Sequence, residues 1–226
     1  MTSITIPSTR GSARNAGGVK GNPSADVRTR LRLVTASAHQ RIHAHSGFAA
    51  AAAATISLSD YRLLLVRLFG FHRAFETVHM DPPFAFGEHR VRSHLIAADL
   101  KSLGLDAGAI SRLPLCDTLQ APANEAEQLG DLYVMEGSTL GGVHIARALQ
   151  TIVPGAGGRG RRFFLGYGAR HGAMWRAFLE RLEGLAAAPS AVGDAERAAV
   201  KTFDEFERWM SGWKALRSTS AEAHLI

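Results

Sequence analysis

The chain has 226 residues, 46% hydrophobic and 20% charged, which suits one well-cored domain with a tail. Its formal net charge is +6, half of it supplied by Arg10, Arg14 and Lys20 in the acid-free stretch 1–25. The modestly basic body fits an acidic partner or an anionic ligand, and no basic stripe interleaved with aromatics points to nucleic acid. No apolar run is long enough for a membrane span. The single cysteine, Cys116, excludes a disulfide framework within the chain and any cysteine cluster for zinc or iron–sulfur. A cytoplasmic, reducing location is consistent with that cysteine usage.

Residues 1–24 are Gly, Ser, Thr, Asn and Arg with little to bury, and are expected to form a disordered N-terminal tail. The tail shares the acid-poor composition of an organelle transit peptide but lacks its amphipathic period. Asp26 can cap a helix running to about His45, with Leu31, Val34, Ala38 and Ile42 as its buried stripe. Arg32, Thr35 and His39 lie along a neighbouring line, and His43 is one turn further. A histidine at the edge of an apolar face is more often structural than a ligand. His39 and His43, four residues apart, are also spaced to share a metal, although no third ligand stands out nearby.

Ser57 begins a second helix, with Asp60 as a capping partner and Leu64, Leu68, Phe71 and Phe75 as core. It ends in Glu76-Thr-Val-His79. A di-iron bundle needs two Glu-x-x-His motifs and further glutamates, and no second copy exists, so a favourable C-terminal histidine is the expected reading. Asp81-Pro82-Pro83 stops this helix. Residues 89–104 form a third helix ended by Gly104, and 113–122 form a connection.

Asn124 caps a long helix that Pro154 ends. Within it, Gly137, Gly141 and Gly142 stand where each costs about 1 kcal/mol relative to alanine. Gly137 and Gly141 share a face and bare the backbone there, with Ser138 and Thr139 between them. Either a neighbouring helix or a flat ligand fills that notch, and the combination favours a bent helix over a ligand. The later Gly155-Ala-Gly-Gly-Arg-Gly160 has the letters of a dinucleotide fingerprint but follows a helix and a proline, and is expected to be a flexible surface loop. Arg170 to about Leu185 is a further helix with Trp175, Phe178, Leu179 and Leu182 inward and Arg176 off that stripe. Asp194 is expected to cap a last helix to about Leu216. The fold class is all-α, roughly seven helices around one core spanning residues 25–216, with 217–226 a frayed C-terminal tail.

An early histidine helix, a glycine-notched helix and arginines at the mouth are together what a flat metal-bearing macrocycle needs. The runs that carry this set resemble a known family. Leu31-Arg-Leu-Val-Thr-Ala-Ser-Ala-His39 is similar to the proximal helix of haem oxygenases, and Leu132-Tyr-Val-Met-Glu-Gly-Ser-Thr-Leu-Gly-Gly142 to their distal helix in its bacterial form. Ala98–Gly104, Phe163–Gly168 with Gly172–Trp175, and Lys201–Phe206 are similar to the bacterial branch, which includes enzymes supplying biliverdin to bacteriophytochromes. The likeness spans roughly residues 27–212, with the motifs in order.

The resemblance implies a single-domain helical bundle that opens haem (iron protoporphyrin IX) to biliverdin, carbon monoxide and ferrous iron, using dioxygen and reducing equivalents. It implies His39 as the axial metal ligand, and Gly137, Ser138 and Gly141 at the catalytic face. Arg32, Thr35, Gly142 and Arg176 join Gly137 and Gly141 as haem-binding positions, with the arginines suited to propionates. A ferredoxin or flavin reductase as electron donor, and a bacteriophytochrome receiving biliverdin, are the implied partners. Two positions depart from the pattern. Ser138 stands where mammalian members carry an aspartate, and His43 stands where an acid is common. They keep open a non-catalytic haem carrier or sensor on the same fold. A di-iron or thiamine-degrading enzyme is a third reading, one that would want paired carboxylates or an activated cysteine.

Overall fold

A computed structural model describes residues 26–79 and 90–214. The two expected tails and the Asp81–Pro83 stop lie outside the described residues. The elements described are helical throughout, and the all-α class holds.

The expected first helix is two. α1 (Val27–Val34) is capped by Asp26, whose side chain accepts from the Thr29 N–H at 2.6 Å. α2 (Ala36–Ala44) follows after one turn residue, Thr35. The Thr35 hydroxyl donates back to the Leu31 carbonyl at 2.7 Å, the four-residue back-bond that bends helices. A short third helix, α3 (Ser46–Ala52), was not expected from its alanine-rich sequence. α4 (Leu58–His79) is the central element, carrying Leu64, Leu65, Phe71 and Phe75 into the core.

α5 (Ser93–Ser102) begins where Glu76 of α4 accepts from the Arg92 N–H at 2.7 Å, the Ser93 N–H at 2.8 Å and the Ser93 hydroxyl. The Glu76 half of Glu-x-x-His therefore acts as a cap supplied from another helix. The other half, His79, bonds Asp131 at 2.9 Å, and Asp131 also accepts from Thr202 at 2.5 Å. α6 (Ala107–Ser111) lies between the expected third helix and the 113–122 connection, in a stretch assigned no element. α7 (Glu125–Ala148) is capped reciprocally: Asn124 accepts from the Glu127 N–H at 2.9 Å, and Glu127 from the Ala123 N–H at 2.8 Å.

The glycine-rich segment after α7 is not a flexible surface loop. Gly158 and Gly160 are buried, and the buried Tyr61 hydroxyl donates to the Gly160 carbonyl at 2.6 Å. The segment leads into α8 (Arg162–Leu165), whose first N–H groups reach the buried Asp99 carboxylate. α9 (His171–Glu183) follows. α10 (Pro189–Ser211) starts at its proline, so Asp194 lies inside the helix, close to Arg197 and Asn124, and is not its cap.

α7 and α10 approach backbone to backbone. A Cβ on Gly130 would sit 2.1 Å from the Ala195 carbonyl oxygen, so glycine is required at that crossing. Two hydrophobic clusters flank it. One gathers Leu64, Leu65, Ile96, Leu100, Leu149 and Met210. The other gathers Leu31, Phe71, Phe75, Leu129, Leu182 and Phe203, and it fixes α1 and α9 against the middle of α7. Burying each such side chain stabilises the fold by roughly 1.5–3 kcal/mol.

Candidate functional site

The site is built where α1 and α2 meet α7. Thr35 is buried at the α1–α2 turn, hydrogen-bonded to the half-buried Tyr133 of α7. Burial raises the Tyr133 phenol above its ordinary value, while Thr35, Arg28 and Arg32 pull it back. Thr35 thus ties the two helices together, and its hydroxyl is committed within the protein. One turn beyond this contact, about 6 Å along each axis, stand His39 on α2 and Gly137 on α7, with Gly141 a turn further.

His39 is exposed on α2, its ring perpendicular to that of Phe203 with centroids 6.3 Å apart. Its Nε2 lies 3.3 Å from the Nε2 of His43. Burial of part of the ring, with His43 beside it, holds His39 below the ordinary imidazole value. It is therefore neutral at pH 7, the form a metal requires.

The three glycines separate into two roles. A Cβ on Gly141 would meet nothing within 4 Å, and one on Gly137 only the tip of the Trp175 ring at 4.0 Å. These two bare an unfilled stretch of backbone. Gly142 is buried, and its Cβ would come within 2.9 Å of the Phe164 carbonyl oxygen, so it seats α7 on α8 and turns away from that stretch. Ser138 is exposed between them, its hydroxyl donating to the Met135 carbonyl at 2.7 Å.

Sequence reasoning missed the buried polar groups beneath this face. The Arg92 guanidinium donates to the Met135 carbonyl at 2.7 Å and lies 3.5 Å from the Ser138 hydroxyl. Glu136 pairs with Arg90 at 2.7 Å and accepts from the Tyr167 hydroxyl at 2.8 Å. Burial and the Glu136 carboxylate push the Tyr167 phenol well up. His72 is buried edge-on to Phe163, and burial, with Arg92 near, drives it well below the ordinary imidazole value. The available signal was a histidine and a glutamate set among the core residues of α4 and α7.

Arg32 and Arg176 are exposed, and Arg28 lies over the Trp175 ring at 6.0 Å. A cavity of about 120 Å³ beneath His79 and Asp131 includes none of the expected site residues.

The heme oxygenase family model matches residues 25–212. The chain belongs to the heme oxygenase family. With the family come haem as substrate and prosthetic group, and oxidoreductase chemistry. The bundle is similar to the haem oxygenase of Neisseria meningitidis, solved with NO and CO bound: TM-score 0.64, 23% identity, 84% of this chain and 94% of that one covered. It is also similar to haem oxygenase-1 of the cyanobacterium Synechocystis, solved with haem: TM-score 0.58, 16% identity, 89% and 100% covered. No curated protein matches the sequence.

The chain's own residues fit haem. Gly137 and Gly141 leave a cradle that a side chain at either position would begin to fill, and His39 offers an accessible, neutral ring nitrogen.

Proposed function

We propose that this haem oxygenase holds its substrate between the His39 imidazole and the bare backbone at Gly137 and Gly141. The observation that carries the reading is the contrast within one helix: Gly141 is open where Gly142 and Gly130 are closed by neighbouring backbone. A glycine inside a helix costs roughly 1 kcal/mol relative to alanine, and at Gly141 no protein group lies close enough to require it.

Haem, when bound, supplies the iron that activates dioxygen against its own ring, yielding biliverdin, carbon monoxide and ferrous iron. The protein's part is positioning and exclusion. His39 would hold the iron through a ring nitrogen, and partial burial favours its neutral form. The Gly137–Gly141 backbone puts no side chain above the ring, so the ring itself is the nearest oxidisable group. Ser138 gives its proton to the Met135 carbonyl and so presents acceptor lone pairs to an ordered water. Arg92, 3.5 Å from that hydroxyl, fixes its orientation in place of a carboxylate. Arg32 and Arg176 are placed to meet propionates at the rim, where guanidinium pairs with carboxylate bidentately.

Electrons come from a ferredoxin or flavin reductase; the released iron serves iron acquisition, or biliverdin serves a bacteriophytochrome. A single cysteine suits a reducing compartment, and on that ground we place the enzyme in the cytoplasm. No described helix is long and apolar enough to cross a membrane. The test is turnover. Haem-loaded protein given ascorbate or a ferredoxin reductase in air should convert its Soret absorbance to that of biliverdin, with release of ferrous iron to a chelator. A Soret band stable through repeated reduction in air would contradict the proposal.

A further inference from the structure

The axial histidine has a neighbour that the haem reading does not use. His43 lies one turn along α2, and the two rings are tilted at 59° to each other with centroids 4.4 Å apart. The atoms that approach are the two Nε2 nitrogens, 3.3 Å apart, and both rings are exposed. A zinc ion binds imidazole nitrogen at about 2.0–2.1 Å, and two such bonds at the tetrahedral angle separate their nitrogens by about 3.3 Å. We infer that His39 and His43 form a two-imidazole chelating site for zinc(II), or another late first-row divalent cation, in the haem-free protein.

Several observations support this. The two residues are four apart on one regular helix, so the backbone already supplies the spacing. In the metal-free protein the two nitrogens can satisfy each other only by sharing one proton, and a cation between them uses both lone pairs at once. Arg41, the one arginine of α2, is engaged by Glu207 at 2.8 Å and Asp204 at 3.4 Å. Among the described residues no third histidine, cysteine or carboxylate completes a closed site, so water fills the remaining positions and the cation exchanges readily. The preference is for zinc and copper over iron, following the general order for imidazole donors.

The consequence rests on the haem reading above. The Nε2 of His39 cannot serve zinc and haem iron together, so the cation and haem compete. By mass action, zinc at about ten times its dissociation constant should weaken haemin uptake about tenfold.

The test uses the haem-free protein and zinc chloride, with affinity read by competition against a chromophoric chelator and the bound site by the imidazole NMR signals. Zinc should shift the His39 and His43 signals together. His39→Ala and His43→Ala should each weaken binding about tenfold or more. Haemin titrations of His43→Ala should be insensitive to zinc. Equal zinc affinity in the wild type and both variants would overturn the site, as would imidazole signals that do not move. Zinc binding without haemin uptake would leave the chelating site standing and bring down the haem reading instead. Zinc binding that leaves haemin uptake unchanged would overturn the competition.

Discussion

Arg92 donates from its buried guanidinium to the carbonyl oxygen of Met135, 2.7 Å away and two residues before Gly137. A helix carrying bare glycines is soft at that point, and this bond fixes α7 immediately ahead of them. The guanidinium also lies over the Phe163 and Tyr167 rings, so its stem and charge are both enclosed. Arg92→Ala should lower stability by about 2–4 kcal/mol, since it removes a buried charge-assisted bond and leaves a void. Arg92→Lys should recover only part of this, because an ammonium cannot span the Met135 carbonyl and the Ser138 hydroxyl as a planar fork does. Urea denaturation of the three proteins measures it, and haemin affinity should fall in the same order.

The glycines of α7 should respond to substitution in opposite ways. Gly130→Ala and Gly142→Ala drive a Cβ to 2.1 and 2.9 Å from backbone oxygens, and should destabilise the fold by roughly 1–3 kcal/mol, Gly130 more than Gly142. Gly141→Ala meets nothing and should gain up to about 1 kcal/mol from helix propensity. Gly141→Leu should remain folded and lose haem uptake. Thermal melts set beside haemin titrations separate the two classes. Loss of stability in Gly141→Leu comparable to Gly130→Ala would remove the argument for a ligand cradle.

His72 makes stability depend on pH. Its folded value is depressed by burial and by Arg92, whereas the unfolded chain titrates near 6.5. Between the two values the unfolded state binds a proton that the folded state refuses. Stability therefore rises with pH across that window and falls as pH drops below about 6.5, by up to about 1.4 kcal/mol per pH unit. His72→Phe removes this contribution. Its stability should be flatter between pH 6.5 and 5 than that of the wild type, as measured by denaturant midpoints at each pH. Parallel curves would show that His72 does not set the slope.

Much of this was legible in the sequence because helices announce themselves by period and cap. Asn124 as a cap and the long run of α7 could be placed from spacing alone. The break at Thr35 could not, because it depends on a single hydroxyl turning back to Leu31. Pro189 rather than Asp194 begins α10 because the chain reaches Ala195 already helical to meet Gly130, a tertiary demand with no local signature. Gly141 and Gly142 look alike in sequence and differ only in that Phe164 lies beside one of them. Glu76 accepts from the backbone N–H of Arg92 ahead of α5, a relation that no spacing encodes.

The central claim is that one imidazole and one bare stretch of helix hold haem between them, and titration with haemin followed at the Soret band tests it most directly. Wild-type protein should take up haemin stoichiometrically with a histidine-ligated spectrum. His39→Ala, an exposed substitution expected to change stability by no more than about 0.5 kcal/mol, should lose that spectrum while keeping its helical circular dichroism. An unchanged spectrum in His39→Ala, or no stoichiometric uptake by the wild type, would contradict the account.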